Sequence, residues 1–257
     1  MTNILILGGG VSAKRFVESY IYDDDLNITI CNMNVCHKSK EISQIYKLKL
    51  INYSDLNKNN INNYSVIIVA IPLLCKYNII KKIIDYSYKG YFIIEKPFSN
   101  NIHNSNEQIK LLANNYFIIP YTRRYLKFKY EFKDYNIIKW HIVNTIPKDK
   151  VLIESIPHII DFVQYNIGNC KEIDNINYDK DILYFRYNGK QIKIYFNNDN
   201  VFTINNEIMK NIDYIKANNV MLKELLTMNN EKQRLIIDDI KSNMLCFERI
   251  TKYERNN

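Results

Sequence analysis

The chain has 257 residues, 47% of them apolar and 24% charged, which is enough to bury two ordinary domain cores and excludes a globally disordered protein. Lys and Arg outnumber Asp and Glu by 35 to 27, but this charge of +8 is spread evenly along a chain crowded with Asn, Ile and 21 Tyr. Such lysines read as solvated surface rather than as a nucleic-acid-binding face, and a small anionic cofactor or substrate is the partner this field favours.

Short apolar runs at Ile4–Leu7, Ile28–Cys31, Val66–Ala70, Phe92–Ile94 and Phe117–Ile119 read as buried parallel strands. Segments with helical spacing lie between them, at Ala13–Tyr22, Tyr77–Tyr86 and Asn104–Asn114, and fit right-handed crossovers. The tract Asn57–Asn63 reads as a polar loop. After residue 120 the rhythm changes. Asn136–Thr145, Ile182–Tyr187, Gln191–Asn197 and Val201–Ile204 read as antiparallel strands, with an Asn188-Gly189 turn between the middle pair. Two helical stretches, Asn211–Met228 and Glu231–Tyr253, follow, and the first of them is expected, with the helix around Ser155–Ile167, to cover one face of this sheet. The expected fold is therefore α/β, a doubly wound parallel sheet over residues 1–119, followed by an α+β domain over 120–257 with a mainly antiparallel sheet open on one face.

No element has a membrane-spanning pattern: the longest apolar run, Val66–Cys75, contains Pro72 and falls far short of the roughly 20 residues a spanning helix needs. The first strand begins within two residues of Met1, with no basic leader before it. Five cysteines at long spacings, without a C-x-x-C pair, argue against a disulfide framework or a zinc site. A cytoplasmic protein without nucleic-acid or membrane partners is the expectation.

Half of the six glycines sit in one loop. Ile4-Leu5-Ile6-Leu7 runs into Gly8, Gly9, Gly10, Val11, Ser12 and Ala13, a G-x-G-x-x-A at a strand-to-helix junction. Gly8 permits the tight turn, Gly10 lets the backbone approach a pyrophosphate, and Ala13 keeps the helix close to the strand. The helix N-terminus then offers unpaired N–H groups to the anion. A site for NAD usually ends its second strand in a carboxylate for the ribose hydroxyl; here Asn32 stands there, with Lys38 and Lys40 just beyond. The 2′-phosphate of NADP would meet cations and no repulsion, while Asn32 bonding the ribose of NAD is the alternative.

Further on, Val66-Ile-Ile-Val-Ala70-Ile71-Pro72 precedes a helix, and the next strand ends Glu95-Lys96-Pro97. This pairing resembles the Gfo/Idh/MocA family of glucose–fructose oxidoreductases and inositol dehydrogenases, in which A-T-P and E-K-P end successive strands. The resemblance covers nearly the whole chain, which is shorter than usual for that family. It implies a Rossmann cofactor domain, with Ala70, Ile71, Pro72, Glu95 and Lys96 lining the nicotinamide crevice and Lys96 binding and polarising the reacting oxygen of a sugar. The family often carries a second proline and a histidine after A-T-P; here Leu73 and Lys76 occupy those places, which weakens any carry-over to Lys76.

Leu152 to Phe162 resembles the family stretch built on D-x-G-x-H-x-x-D. By position, Glu154 and His158 would flank the reacting carbon, with Asp161 orienting the ring or relaying its proton. Pro157 reads as a first helical residue, which would put His158 at the positive helix end and favour its neutral form. Glu154 replaces the usual Asp, and the preceding glycines give way to Pro147-Lys-Asp-Lys150. Tyr121-Thr-Arg-Arg124 resembles the family segment after the sixth strand, with Arg124 placed to bind a substrate carboxylate or phosphate, or else to form a surface ion pair. The resemblance implies hydride transfer between NADP, or NAD, and a secondary alcohol or ketone of a sugar-like substrate, in a homodimer or tetramer. A non-catalytic dinucleotide-binding sensor on the same fold is the rival reading.

Overall fold

The apolar runs of the first half form a parallel sheet in the computed structural model of the protein, which describes residues 1–32, 37–141, 151–179, 181–197, 202–209 and 213–255. Its elements are β1 (Thr2–Leu7), α1 (Val11–Tyr20), β2 (Leu26–Asn32), α2 (His37–Tyr46), β3 (Lys49–Asn52), β4 (Val66–Val69), α3 (Leu73–Asp85), β5 (Tyr91–Ile94), α4 (Ile102–Leu111) and β6 (Phe117–Ile118). The strand order is β3-β2-β1-β4-β5-β6, every pairing parallel. The order reverses between β1 and β4, and this switch point opens a crevice at the strands' carboxyl ends.

Alternate residues of each central strand face opposite layers, because side chains in a strand repeat every second residue. Ile4, Ile6, Ile28, Ile30, Val66 and Ile68 pack with Ala13, Phe16 and Val17 of α1, whereas Leu5, Leu7, Ile67 and Val69 pack with Ile79, Ile80 and Ile83 of α3. Burial on both faces is why these strands read as continuous apolar runs.

The second half contains α5 (Thr122–Tyr125), β7 (Tyr135–His141), α6 (Val151–Ile167), β8 (Ile173–Asp179), β9 (Ile182–Tyr187), β10 (Lys190–Asn197), β11 (Thr203–Ile204), β12 (Glu207–Ile208), α7 (Tyr214–Leu226) and α8 (Asn230–Arg255). Its sheet has the order β12-β11-β7-β10-β9-β8 and is antiparallel except for the parallel pair β7–β10. The β9–β10 hairpin turns at Asn188 and Gly189, both with positive φ as a tight primed turn requires. The parts of the expected strands and helix that fall at 142–145, 201 and 211–212 lie outside the described residues.

Ile138, Trp140, Leu183, Phe185, Ile192, Ile194 and Phe196 all point inward, onto Ile156, Ile159, Ile160 and Val163 of α6 and Ile240, Met244 and Phe247 of α8. The sequence by itself leaves open which side Ile192, Ile194 and Phe196 take. Tyr135, Ile137, Lys139, Ile182, Tyr184, Arg186, Lys193 and Tyr195 alternate with them and are exposed or half-buried. Helix α7, expected to cover this sheet, packs instead on α1: Tyr20 Oη donates to the Asn218 carbonyl at 3.0 Å, and Asn218 Nδ2 donates to Ser19 Oγ at 2.9 Å. Its apolar stripe of Ala217, Met221, Leu222 and Leu225 closes the outer surface of the Rossmann layer, so the two halves share their helices.

Candidate active site

The glycine loop joins β1 to α1 at the switch point. Gly8 has φ +118°, and a Cβ on it would stand 2.2 Å from the Ala70 carbonyl oxygen, so the turn admits only glycine. A Cβ on Gly9 would come within 2.7 Å of the Ser39 Cβ. Gly10 differs: nothing lies within 4 Å of where its Cβ would be, so open space adjoins the N-terminus of α1. Free space beside unpaired helical N–H groups fits a dinucleotide pyrophosphate, which backbone donors and the helix dipole would hold. Val11 is exposed at the loop's outer edge and Ala13 is fully buried under the helix. Ser12 lies near enough to the Glu95 carboxyl at the end of β5 to favour its charged form. Asn32 ends β2 beside Gly9, and Lys38 lies exposed on α2; residues 33–36 between them lie outside the described residues.

Ala70, Ile71 and Pro72 carry the chain from β4 into α3, with Pro72 as the cap residue, and Glu95, Lys96 and Pro97 leave β5 alongside them. The Glu95 carboxyl is pushed up by burial, opposed by the charges of Lys96 and Lys76. Lys96 Nζ donates to Glu154 Oε2 at 2.7 Å and to the Glu154 carbonyl at 3.0 Å. Glu154 therefore anchors the Lys96 ammonium; its longer side chain spans from α6 to the strand end.

Glu154 and His158 are four residues apart on α6 and share a face. The neutrality of His158 has a different origin from the one expected. Helix α6 begins at Val151, so Pro157 lies inside it and His158 is more than a turn from the positive end. The imidazole is nevertheless held well below its ordinary pKa, first by burial and then by the nearby charges of Lys96, Arg123 and Arg15. Its ring stands edge-on to Tyr121, with centroids 6.2 Å apart. Lys96, Glu154, His158 and Tyr121 thus converge at the carboxyl end of β5.

Asp161 and Arg124 do not join them. Arg124 bonds Asp161 Oδ1 at 2.6 Å and also pairs with Asp239 of α8. Arg124, with carboxylates on two of its nitrogens, links α5, α6 and α8, and Asp161 is one of its two carboxylate partners. Burial, partly offset by Arg124, raises the Asp161 carboxyl to about 6.

Two cations that sequence reasoning missed, Arg123 and Arg15, act on His158 through their charge. Arg123 lies over the rings of Trp140 and Phe202, 4.2 and 4.7 Å from their centroids, with no acidic partner among the described residues and its Nε–H unbonded. Arg15 lies over the Tyr214 ring at 4.5 Å. The sequence signal for Arg123 was its place beside Arg124, but only packing distinguishes the two. Lys76, near the place of the family's histidine, is 1% exposed and donates to the carbonyls of Glu95 and Pro97.

No model of a known protein family matches the sequence, and no curated protein is similar to it at the sequence level. Solved structures do match over nearly the full length of both chains. A Gfo/Idh/MocA family oxidoreductase from Vibrio cholerae superposes with a TM-score of 0.71 at 11% identity, covering 99% of this chain and 100% of that one. Myo-inositol dehydrogenase from Lactobacillus casei, in complex with NAD(H) and myo-inositol, gives 0.72 at 8% identity, covering 98% and 95%. Biliverdin reductase from Synechocystis, in complex with biliverdin and NADP+, gives 0.65 at 12% identity, covering 96% and 98%. A six-stranded parallel sheet with a glycine loop at its switch point, followed by a mixed sheet under α6 and α8, is the fold of the Gfo/Idh/MocA-type dehydrogenases, and this chain has it from end to end.

Proposed function

We propose that this protein is a nicotinamide-dependent oxidoreductase that interconverts a secondary alcohol and a ketone on a sugar or sugar-like ring. The observation that carries the reading is the convergence of the Lys96 ammonium and the neutral His158 imidazole at the strand end facing the glycine loop. A bound nicotinamide supplies or accepts the hydride. Lys96 donates a hydrogen bond to the reacting oxygen and stabilises charge developing there. His158, neutral at physiological pH, takes the hydroxyl proton on a ring nitrogen in the oxidation and returns it in the reduction. Glu154 holds the ammonium until substrate arrives, and Tyr121 walls the imidazole. Arg123, rather than Arg124, is the cation available to contact a substrate.

NADP is favoured over NAD by the absence of a carboxylate at Asn32 and by Lys38 nearby. A homodimer through the open face of the second sheet, in the cytoplasm, completes the reading. The test is turnover: the purified protein is mixed with NADPH or NADP+ and a panel of inositols, aldoses, ketoses and nucleotide sugars. Oxidation or reduction of the cofactor that depends on Lys96 supports the reading. Tight cofactor binding without turnover of any panel member would replace it with the sensor reading, in which the Lys96–Glu154 pair is never opened by a substrate.

A further inference from the structure

Lys76 projects from α3 into the region behind β5 and is as buried as the apolar core around it, at 1% exposure. Its Nζ donates to the carbonyl oxygens of Glu95 and, at 2.7 Å, of Pro97. These are the carbonyls of the residues immediately before and after Lys96. An ammonium removed from water is costly unless its donors are used and an opposite charge is close. Here two of three donors have carbonyl partners, and Glu95 supplies the nearest negative charge. Burial lowers the Lys76 pKa to about 8, countered by Glu95 and Glu154 and reinforced by the like charge of Lys96. A methionine of similar length would fill the same volume without this electrostatic cost, so an amine at this position runs against the trend of core packing.

We propose that Lys76 is a positioning residue for Lys96: by gripping the backbone on both sides of Lys96 it fixes the point from which that side chain reaches Glu154 and the substrate oxygen. This rests on the role given to Lys96 above. Lys76 touches neither substrate nor cofactor space in this arrangement; it acts through the peptide groups that carry Lys96. A displacement of about 1 Å at such a group is enough to cost on the order of 10²-fold in rate.

The test is a double-mutant cycle of Lys76→Met and Lys96→Met in the holoenzyme, with NADPH affinity measured alongside kcat and KM. Lys76→Met is expected to lower kcat about 10-fold or more, to change KM and NADPH affinity less than about twofold, and to cause no further loss in the Lys96→Met background. Equal losses in both backgrounds, or an unchanged kcat, would overturn the proposal by showing a general packing role or none. Should Lys76→Met not fold, Lys76→Leu, which also removes the donors, takes its place in the same cycle with the same criteria. A crystal structure of the variant separates this proposal from the oxidoreductase reading, since it needs no substrate. The Lys96 ammonium is expected to leave Glu154 by about 1 Å or more; an unmoved Lys96–Glu154 pair would refute the positioning role even in an active enzyme.

Discussion

The ammonium of Lys96 stands 2.7 Å from the carboxylate of Glu154, joining the carboxyl end of a parallel strand in the first half to a helix of the second. Lys96 is 15% exposed in its side chain and Glu154 43%, so the pair opens to the crevice on the acid's side. On the proposed reading, a substrate hydroxyl entering there would meet the lysine with its counter-ion already present and His158 one helical turn away.

Removing these groups should slow the chemistry without loosening the cofactor. Lys96→Met and His158→Ala are each expected to lower kcat by about 10²-fold, and the double variant to be no slower than either single one, as for groups acting as a unit. Glu154→Gln, which keeps the shape but loses the anchor's charge, should cost about 10-fold. Steady-state kinetics on a substrate found in the panel check all three; near-normal rates in Lys96→Met and His158→Ala would refute the assignment.

The depressed pKa of His158 has a sign that can be checked. Because the folded state resists protonation and the unfolded chain takes up a proton near 6.5, this residue's contribution to stability is present above that pH and is lost as pH falls below it. A tenfold difference in proton affinity between the two states is worth about 1.4 kcal/mol, large enough to read in an unfolding curve. Between pH 7.5 and 5.5 the urea midpoint of the wild-type protein should fall more than that of His158→Gln. Equal falls would show that the imidazole is not held neutral.

The Arg124 strut is structural, and its loss should appear in stability first. Asp161 has a nearly buried side chain, 4% exposed, so Arg124→Met strands an acid against α6. Breaking a buried pair from one side costs about 3–5 kcal/mol. Denaturant unfolding of Arg124→Met should fall in that range, whereas Arg123→Met, which leaves no acid unpaired among the described residues, should fall well below it. The reverse ranking would exchange the roles assigned to the two arginines.

Much of this architecture is legible in the sequence alone. The parallel strands declare themselves as apolar runs because both faces are buried, and the glycine loop and Glu95-Lys96-Pro97 mark two carboxyl ends of one sheet. Strand β3 and helix α2 are not legible: Lys49–Asn52 is short and only partly buried, and the helix carries a single buried apolar residue, Ile42, beside buried Ser39. Pro157 misleads, since a proline marks a helix start by local preference but is tolerated inside α6, where packing on the sheet outweighs one lost hydrogen bond. What separates Arg123 from Arg124, or gives Lys76 its partners, is the identity of groups 37 to 115 residues away for Arg124 and 19 to 21 away for Lys76. Local pattern carries none of that.

The open face of the second sheet invites self-association. Tyr184, Tyr195, Ile137 and Ile182 lie among Lys139, Lys193 and Arg186 on a surface that no described helix covers, and a two-fold contact would bury them against their own copies. Sedimentation at micromolar concentration is expected to give a dimer for the wild-type protein and a monomer for the double variant Tyr184→Glu, Tyr195→Glu. A wild-type monomer would contradict the dimer.

Every role assigned to the site requires that the loop at Gly10 receive a dinucleotide, and a fluorescence titration of NADPH into the wild-type protein and Gly10→Val reads this without any knowledge of the substrate. A Cβ at Gly10 meets nothing within 4 Å, so the variant has no steric reason to misfold and its side chain would occupy only the space assigned to the pyrophosphate. The expected result is a blue-shifted, enhanced nicotinamide emission on binding to the wild-type protein, and no binding by a Gly10→Val protein whose circular dichroism and unfolding midpoint are unchanged. Equal NADPH affinity in the two proteins, or none in the wild type, would contradict the assignment of the loop.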